Sequence, residues 1–155
     1  MTLHTGGPCT FNAPANEESG VSNNDNYDCN LNSAIGCSVQ GPVGSYGSSL
    51  NAHGGGVYAM EWTSSFIKIF FFPRNAIPAD ITAGKPNPSS WGLPTADFDS
   101  QDGNCDIDAN FPPQTIVSIN TLLPLSDRYK RDLKWRALTL FIVLRYNVLR
   151  CRSWR

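Results

Sequence analysis

Gly54-Gly55-Gly56-Val57-Tyr58-Ala59-Met60-Glu61-Trp62-Thr63 is followed, after Ser64-Ser65, by Phe66-Ile67-Lys68-Ile69-Phe70-Phe71-Phe72-Pro73-Arg74. Two runs rich in aromatic and aliphatic residues, separated by a short polar break, read as a β-hairpin. Side chains alternate along a strand, so Tyr58, Met60 and Trp62 share one face, and Val57, Ala59, Glu61 and Thr63 share the other. By that alternation Trp62 belongs to the core. Glu61, a carboxylate inside an aromatic strand, is either an edge charge or part of a polar cleft. A sheet that offers aromatic platforms beside carboxylates is a usual surface for binding a polysaccharide.

Outward from the hairpin, the chain splits by charge. Residues 1–121 hold three basic residues and eleven acids, a net of −8, whereas 122–155 hold nine basic residues and two acids, a net of +7. The overall −1 is therefore an average of two unlike pieces and says nothing about partners. The first piece is rich in Gly, Pro, Ser and Asn and has little helical periodicity, which points to strands joined by long loops. A strand is expected at 1–5, the hairpin at 56–72, a Pro-rich loop through 73–110 and another strand at 115–120. Residues 6–53 are almost all small or polar and contain Cys9, Cys29 and Cys37. Core burial alone could not shape such a loop, so disulfides, which persist outside the reducing cytosol, are the expected staple. With five cysteines at least one is left over, and the pairing cannot be read from spacing.

Other candidate sites are weaker. Trp91, in Asn87-Pro88-Ser89-Ser90-Trp91-Gly92, sits in a loop and could stack on a pyranose ring or pack beneath the loop. Asp97, Asp99, Asp102, Asp106 and Asp108 invite a calcium reading, but Gly103 comes one place too late for the helix-loop-helix template and no Glu closes the loop. They read as solvated loop acids. His4 and His53 have no metal-ligand spacing, and Gly54 to Gly56 lead into a strand rather than a helix, so no metal, phosphate loop or cofactor is expected. In the tail, Ser126 could cap a helix, and Leu133, Ala137, Leu140, Leu144 and Val148 recur at spacings of three and four. Its basic composition resembles an interfacial helix or a nucleic-acid binder, yet out-of-frame sequence gives the same composition for no functional reason, so neither partner is expected. Ala137 to Leu144 falls far short of the ~20 residues that span a bilayer. Met1-Thr2-Leu3-His4 has neither the basic start nor the apolar run of a signal peptide.

Met1-Thr2-Leu3-His4-Thr5, the Gly54 to Trp62 block, Phe66 to Arg74 with Ile77-Pro78-Ala79-Asp80-Ile81, and Cys105-Asp106-Ile107-Asp108 occur in one order. Together they closely resemble the fungal mixed-linkage and laminarin-degrading endo-β-glucanases of glycoside hydrolase family 16, over roughly residues 1–121. The resemblance implies an all-β fold: part of a concanavalin-like β jelly-roll sandwich, with 122–155 a foreign, helix-patterned tail from a frameshift or a retained intron. It implies secretion, and a β-glucan polysaccharide as partner.

Family members carry Glu-x-Asp-x-x-Glu on one strand shortly before the Met-Thr-Leu-His-Thr strand, the first Glu as nucleophile and the last as acid/base. This sequence starts at that Met and contains no such motif, so the resemblance implies a truncated piece with no catalytic residues of its own. His4 would lie beside the missing strand and reach the cleft; without carboxylates it could only position sugar hydroxyls. His4, Trp91 and Glu61 are thus the candidate substrate-binding residues, the last as a polar residue of the cleft wall. The expected function is that of a glucanase fragment without turnover; the alternatives are a non-catalytic glucan-binding remnant and a product that does not fold. In related enzymes a further Cys follows the segment aligned with 115–121, and this chain lacks it. The resemblance therefore implies that Cys105 has lost its partner and that Cys151 is an accidental replacement.

Overall fold

A computed structural model of the chain describes residues 1–12, 17–22, 27–32, 36–112 and 140–145, with backbone alone at 12, 101–103 and 140–145. The strands are β1 (Thr2–Leu3), β2 (Thr10–Asn12), β3 (Val21–Ser22), β4 (Cys37–Gln40), β5 (Gly56–Trp62), β6 (Phe66–Pro73), β7 (Ala96–Asn104) and β8 (Leu140–Arg145). Three short α-helices are interspersed among the described residues: α1 (Gly47–Ala52), α2 (Ala79–Thr82) and α3 (Ile107–Asn110). The strands form two sheets, ordered β1-β4-β3 and β2-β7-β6-β5-β8. All pairings are antiparallel except that of β5 with β8.

The hairpin sets the register of the larger sheet. β5 and β6 pair from Gly56 opposite Pro73 to Trp62 opposite Ile67. Thr63 closes the turn: its amide donates to Phe66 O (2.9 Å), and its hydroxyl accepts from the Ser65 and Phe66 amides at 3.1 and 3.0 Å. The glycines before β5 have a physical reason. Gly54 and Gly55 hold φ of +78° and +83°, a region that side chains avoid, while a Cβ on Gly56 would lie 2.5 Å from Phe72 O.

The core lies between the sheets. Cys37 and Val39 of β4 meet Trp62, Ile67, Ala96 and Phe98 of β5–β7, with Leu3, Met60 and Ile69 packed alongside. Trp62 is buried, as the alternation requires, and Phe111 caps it edge-on with ring centroids 6.4 Å apart. Two disulfides staple the polar N-terminal region, Cys9–Cys105 and Cys29–Cys37, the first joining residues 96 apart in sequence. Closing a loop of that length restricts the unfolded chain by about 4–5 kcal/mol in the chain-entropy account.

Several expectations need correction. Cys105 has not lost its partner; Cys9 brings it to β2's end of the larger sheet. The span 73–110 is not one loop, since it contains α2, β7 and α3. The acids are not all solvated: Asp97 is 1% exposed in β7, and Asp106 caps α3 by accepting from the Ala109 amide at 3.0 Å. The helix pattern of the tail fails over Leu140–Arg145, which is β8, hydrogen-bonded parallel to Val57–Trp62. There the β-prone run Phe141-Ile142-Val143 meets the open edge of β5, and a sheet edge offers backbone partners that a lone helix turn cannot. The expected strand at 115–120, the rest of the tail and Cys151 lie outside the described residues.

Candidate functional site

The smaller sheet presents its polar side away from the core. Leu3, Cys37 and Val39 point inward, so Thr2 and Ser38, paired across β1 and β4, point outward and join hydroxyls at 2.8 Å. His4 follows β1 directly and is exposed. Its ring lies against Gly36, where a Cβ would come within 2.4 Å of Nδ1, and Gly36 holds a φ of +92°. The surface formed by Thr2, His4, Ser38 and Gln40 is polar and solvent-facing and carries no carboxylate. β1 is an edge strand of its sheet among the described residues.

Glu61 stands elsewhere. On β5 it alternates with Trp62, so it faces away from the core, opposite Lys68 of β6, which in turn is opposite Asp97 of β7. The outer face of the larger sheet thus carries a row of charges across three strands. Lys68 Nζ sits 3.1 Å from Asp97 Oδ2 and over the Phe66 ring, 4.7 Å from its centroid. Glu18 joins the row, its Oε2 accepting from the Asp97 amide at 2.9 Å. Burial raises the pKa of Glu18, Glu61 and Asp97; Lys68 pulls the last two back, and the Asp97 amide pulls Glu18 back. Raised carboxylates in proximity resemble a catalytic pair. Asp97 is sealed from solvent, and the Lys68 ammonium is its partner.

Trp91 shares that outer face but is occupied. Its ring meets the Phe70 and Phe72 rings edge-on at 5.0 and 5.4 Å, and its Nε1 donates to Asp80 Oδ2 at 2.8 Å. The Asn87 amide also donates to that oxygen, at 2.7 Å, and these bonds hold the Asp80 pKa below its ordinary value, the Asn87 amide most strongly. His4 and the pair Glu61–Trp91 therefore lie on opposite outer faces of the sandwich, and among the described residues no single surface joins them. The sequence reading missed the Lys68–Asp97–Glu18 group, because its members come from three distant segments. It also passed over Ser45-Tyr46, a hydroxyl and an aromatic in a Gly/Ser loop, which composition could have flagged.

A family model described as XgeA-like, catalytic GH16 domain matches residues 1–123. The chain belongs to glycoside hydrolase family 16. A probable endo-1,3(4)-β-glucanase of Aspergillus clavatus is 44% identical over 117 residues, which is 76% of this chain and 18% of that protein. The chain thus spans about a fifth of the length of that relative. Among solved family 16 structures, an elongating β-1,3-glucosyltransferase superposes with a TM-score of 0.65 at 46% identity, over 73% of this chain and 36% of the other. Laminarinase 16A of Phanerochaete chrysosporium, solved with 6-O-glucosyl-laminaritriose in both donor and acceptor sites, gives 0.61 at 47% identity, over 72% and 38%. The two sheets are accordingly a portion of the family 16 jelly-roll sandwich. Among the described residues no group of three or more His, Cys, Asp or Glu is arranged to hold a metal, and no helix is long and apolar enough to cross a membrane.

Proposed function

We propose that these 155 residues bind β-1,3- or mixed-linkage β-glucan through the polar outer face of the β1-β4-β3 sheet and do not themselves hydrolyse it. One observation carries the reading. A retaining glycosidase needs two carboxyl groups about 5–5.5 Å apart across the scissile bond, and the sequence has no Glu-x-Asp-x-x-Glu with which to place them beside His4. Thr2, His4 and Ser38 can hydrogen-bond sugar hydroxyls, but none can act as nucleophile and acid together. Two disulfides and the family support an oxidising, extracellular setting.

The test uses the purified, oxidised chain with laminarin and barley β-glucan. The expected outcome is no reducing-sugar release above a blank, with retention on insoluble β-1,3-glucan. Release that tracks the purified chain would refute catalytic silence. A cooperatively folding chain that washes straight off the glucan would refute binding.

A further inference from the structure

One disulfide holds the chain on both sides of His4. Leu3, just before it, lies opposite Cys37, and the same register sets His4 opposite Gly36. Thr5, just after it, donates its amide to Cys29 O at 2.9 Å and accepts from the Leu31 amide at 3.1 Å. The neighbours of His4 are thus bound to the two ends of the loop that Cys29–Cys37 closes, eight residues apart. Gly36, inside that loop, lies against the imidazole with a φ of +92°. The bond therefore fixes the backbone around His4 and the surface on which its ring rests.

The second disulfide is placed beside the first. The Cys29 amide donates to Cys9 O at 2.9 Å and the Phe11 amide to Tyr27 O at 3.1 Å, with Thr10 bridged to Asp28 between them. This antiparallel pattern sets Cys9 across from Cys29, side chains on one side of the ribbon, and both are buried in the same core. Residues opposed in this way have Cα atoms about 5.5 Å apart, inside the ~4.4–6.8 Å that a disulfide spans. Cys9 and Cys29 are each bonded elsewhere, yet they are positioned as an alternative pair. Exposure gives the order of events. Cys105 is 8% exposed, against 1%, 0% and 1% for Cys9, Cys29 and Cys37, so a thiol arriving from solvent meets Cys105 first.

We infer that the two disulfides form a relay through which a small thiol in solution, such as glutathione, loosens His4. The thiolate attacks Cys105 Sγ; a mixed disulfide forms there, the Cys9–Cys105 bond breaks, and Cys9 leaves as the thiolate. Cys9 then attacks Cys29 Sγ, the Cys29–Cys37 bond breaks, and Cys37 leaves as the thiolate and takes a proton from water. One thiolate enters and one departs, and the number of S–S bonds is unchanged. The product holds Cys9–Cys29, and β4 with Gly36 is no longer tied to the segment that carries Cys29. The consequence for binding rests on the glucan reading above: with His4 loosened, the polar face loses one fixed hydrogen-bonding group, and its affinity for glucan becomes redox-dependent.

The experiment uses the full oxidised chain carrying Cys151→Ser, which removes the fifth thiol, treated with glutathione and quenched with N-ethylmaleimide. Peptide mapping reads the connectivity, the His4 ring resonances read the clamp, and retention on insoluble β-1,3-glucan reads binding. The expected product has glutathione on Cys105, a Cys9–Cys29 bond and an alkylated Cys37. His4 resonances should narrow to those of a mobile ring, and glucan affinity should fall roughly fivefold, the worth of one hydrogen bond. In a folded Cys9→Ser/Cys105→Ser variant the relay is cut, so Cys29–Cys37 should outlast that of the parent under the same thiol; if the variant does not fold, the mapping decides alone. Glutathione on Cys105 with Cys29–Cys37 intact, direct attack on Cys29 or Cys37, or no opening short of global unfolding overturns the relay. Exchanged bonds with unchanged His4 resonances overturn the clamp. If the oxidised chain folds and retains no glucan, the function proposed above falls, while the mapping and the His4 resonances still judge the relay by themselves.

Discussion

Replacing Lys68 with methionine strips the cation from a carboxylate that is 1% exposed and sits 3.1 Å from the ammonium. Two unit charges ~4 Å apart attract by about 4 kcal/mol at an effective dielectric of ~20, and removing one partner of a buried pair costs about 3–5 kcal/mol. Lys68 keeps 27% of its side chain exposed, which places the expected loss at the low end, about 3 kcal/mol near neutral pH.

The pH dependence sharpens the test. Burial raises the pKa of Asp97 in the folded state, Lys68 opposes that rise, and Asp99 and Glu17 add to it. Without Lys68 the folded pKa climbs further. A carboxyl whose pKa is higher folded than unfolded costs stability as pH rises through that window, because the unfolded chain gives up its proton first. Below the unfolded value of ~4 both states are protonated and the penalty is gone. The deficit of Lys68→Met should therefore be full at pH 8 and shrink steadily towards pH 4. Glu18 and Glu61, also raised by burial, titrate in the same direction in both proteins and largely cancel in the difference. Urea unfolding of both proteins across that range reads the difference directly, and Asp97→Asn added to Lys68→Met should recover most of the loss. A deficit below ~1 kcal/mol at pH 8, or one that does not change with pH, would refute the reasoning.

Gly56→Ala should destabilise by about 1–3 kcal/mol, since its Cβ would press on Phe72 O at 2.5 Å and the Phe71 ring at 2.7 Å; thermal unfolding checks this. Trp91→Ala should cost about 2–3 kcal/mol through lost packing on Phe70 and Phe72 while leaving retention on insoluble glucan intact. Retention lost at unchanged stability would make Trp91 a ligand platform instead. Ending the chain at residue 139 removes β8 and leaves the Val57–Trp62 edge of β5 open, so light scattering should show self-association. A monomer of unaltered stability would mean that β8 does nothing for the fold.

What was legible in the sequence was local. Alternation over 56–72 supplied the hairpin, the burial of Trp62 and the outward side of Glu61, and the motif order supplied the family. β7 was hidden because Ala96-Asp97-Phe98-Asp99 alternates aspartates with apolar residues and so resembles a polar loop. Only the cross-strand Lys68 makes Asp97 tolerable in the interior, and that partner arrives through tertiary pairing. β3 and β4 are too short to show periodicity in a Gly/Ser/Asn-rich stretch, and the two disulfides support what their hydrophobicity cannot. β8 shows the reverse case, a helical spacing overridden by a vacant sheet edge.

The Cys9–Cys105 bond has a consequence for biosynthesis. The N-terminal cysteine emerges from the ribosome early, and its partner follows 96 residues later. At ~5–20 residues per second Cys9 waits for roughly 5–20 s, and for most of that time Cys29 and Cys37 are both already outside. Thiolates exchange with whichever disulfide is near, so the early eight-residue ring can form correctly or capture Cys9 instead. Correct pairing in this chain is therefore favoured where disulfides can reshuffle, so that Cys9 stays available until the last third of the sequence has been made.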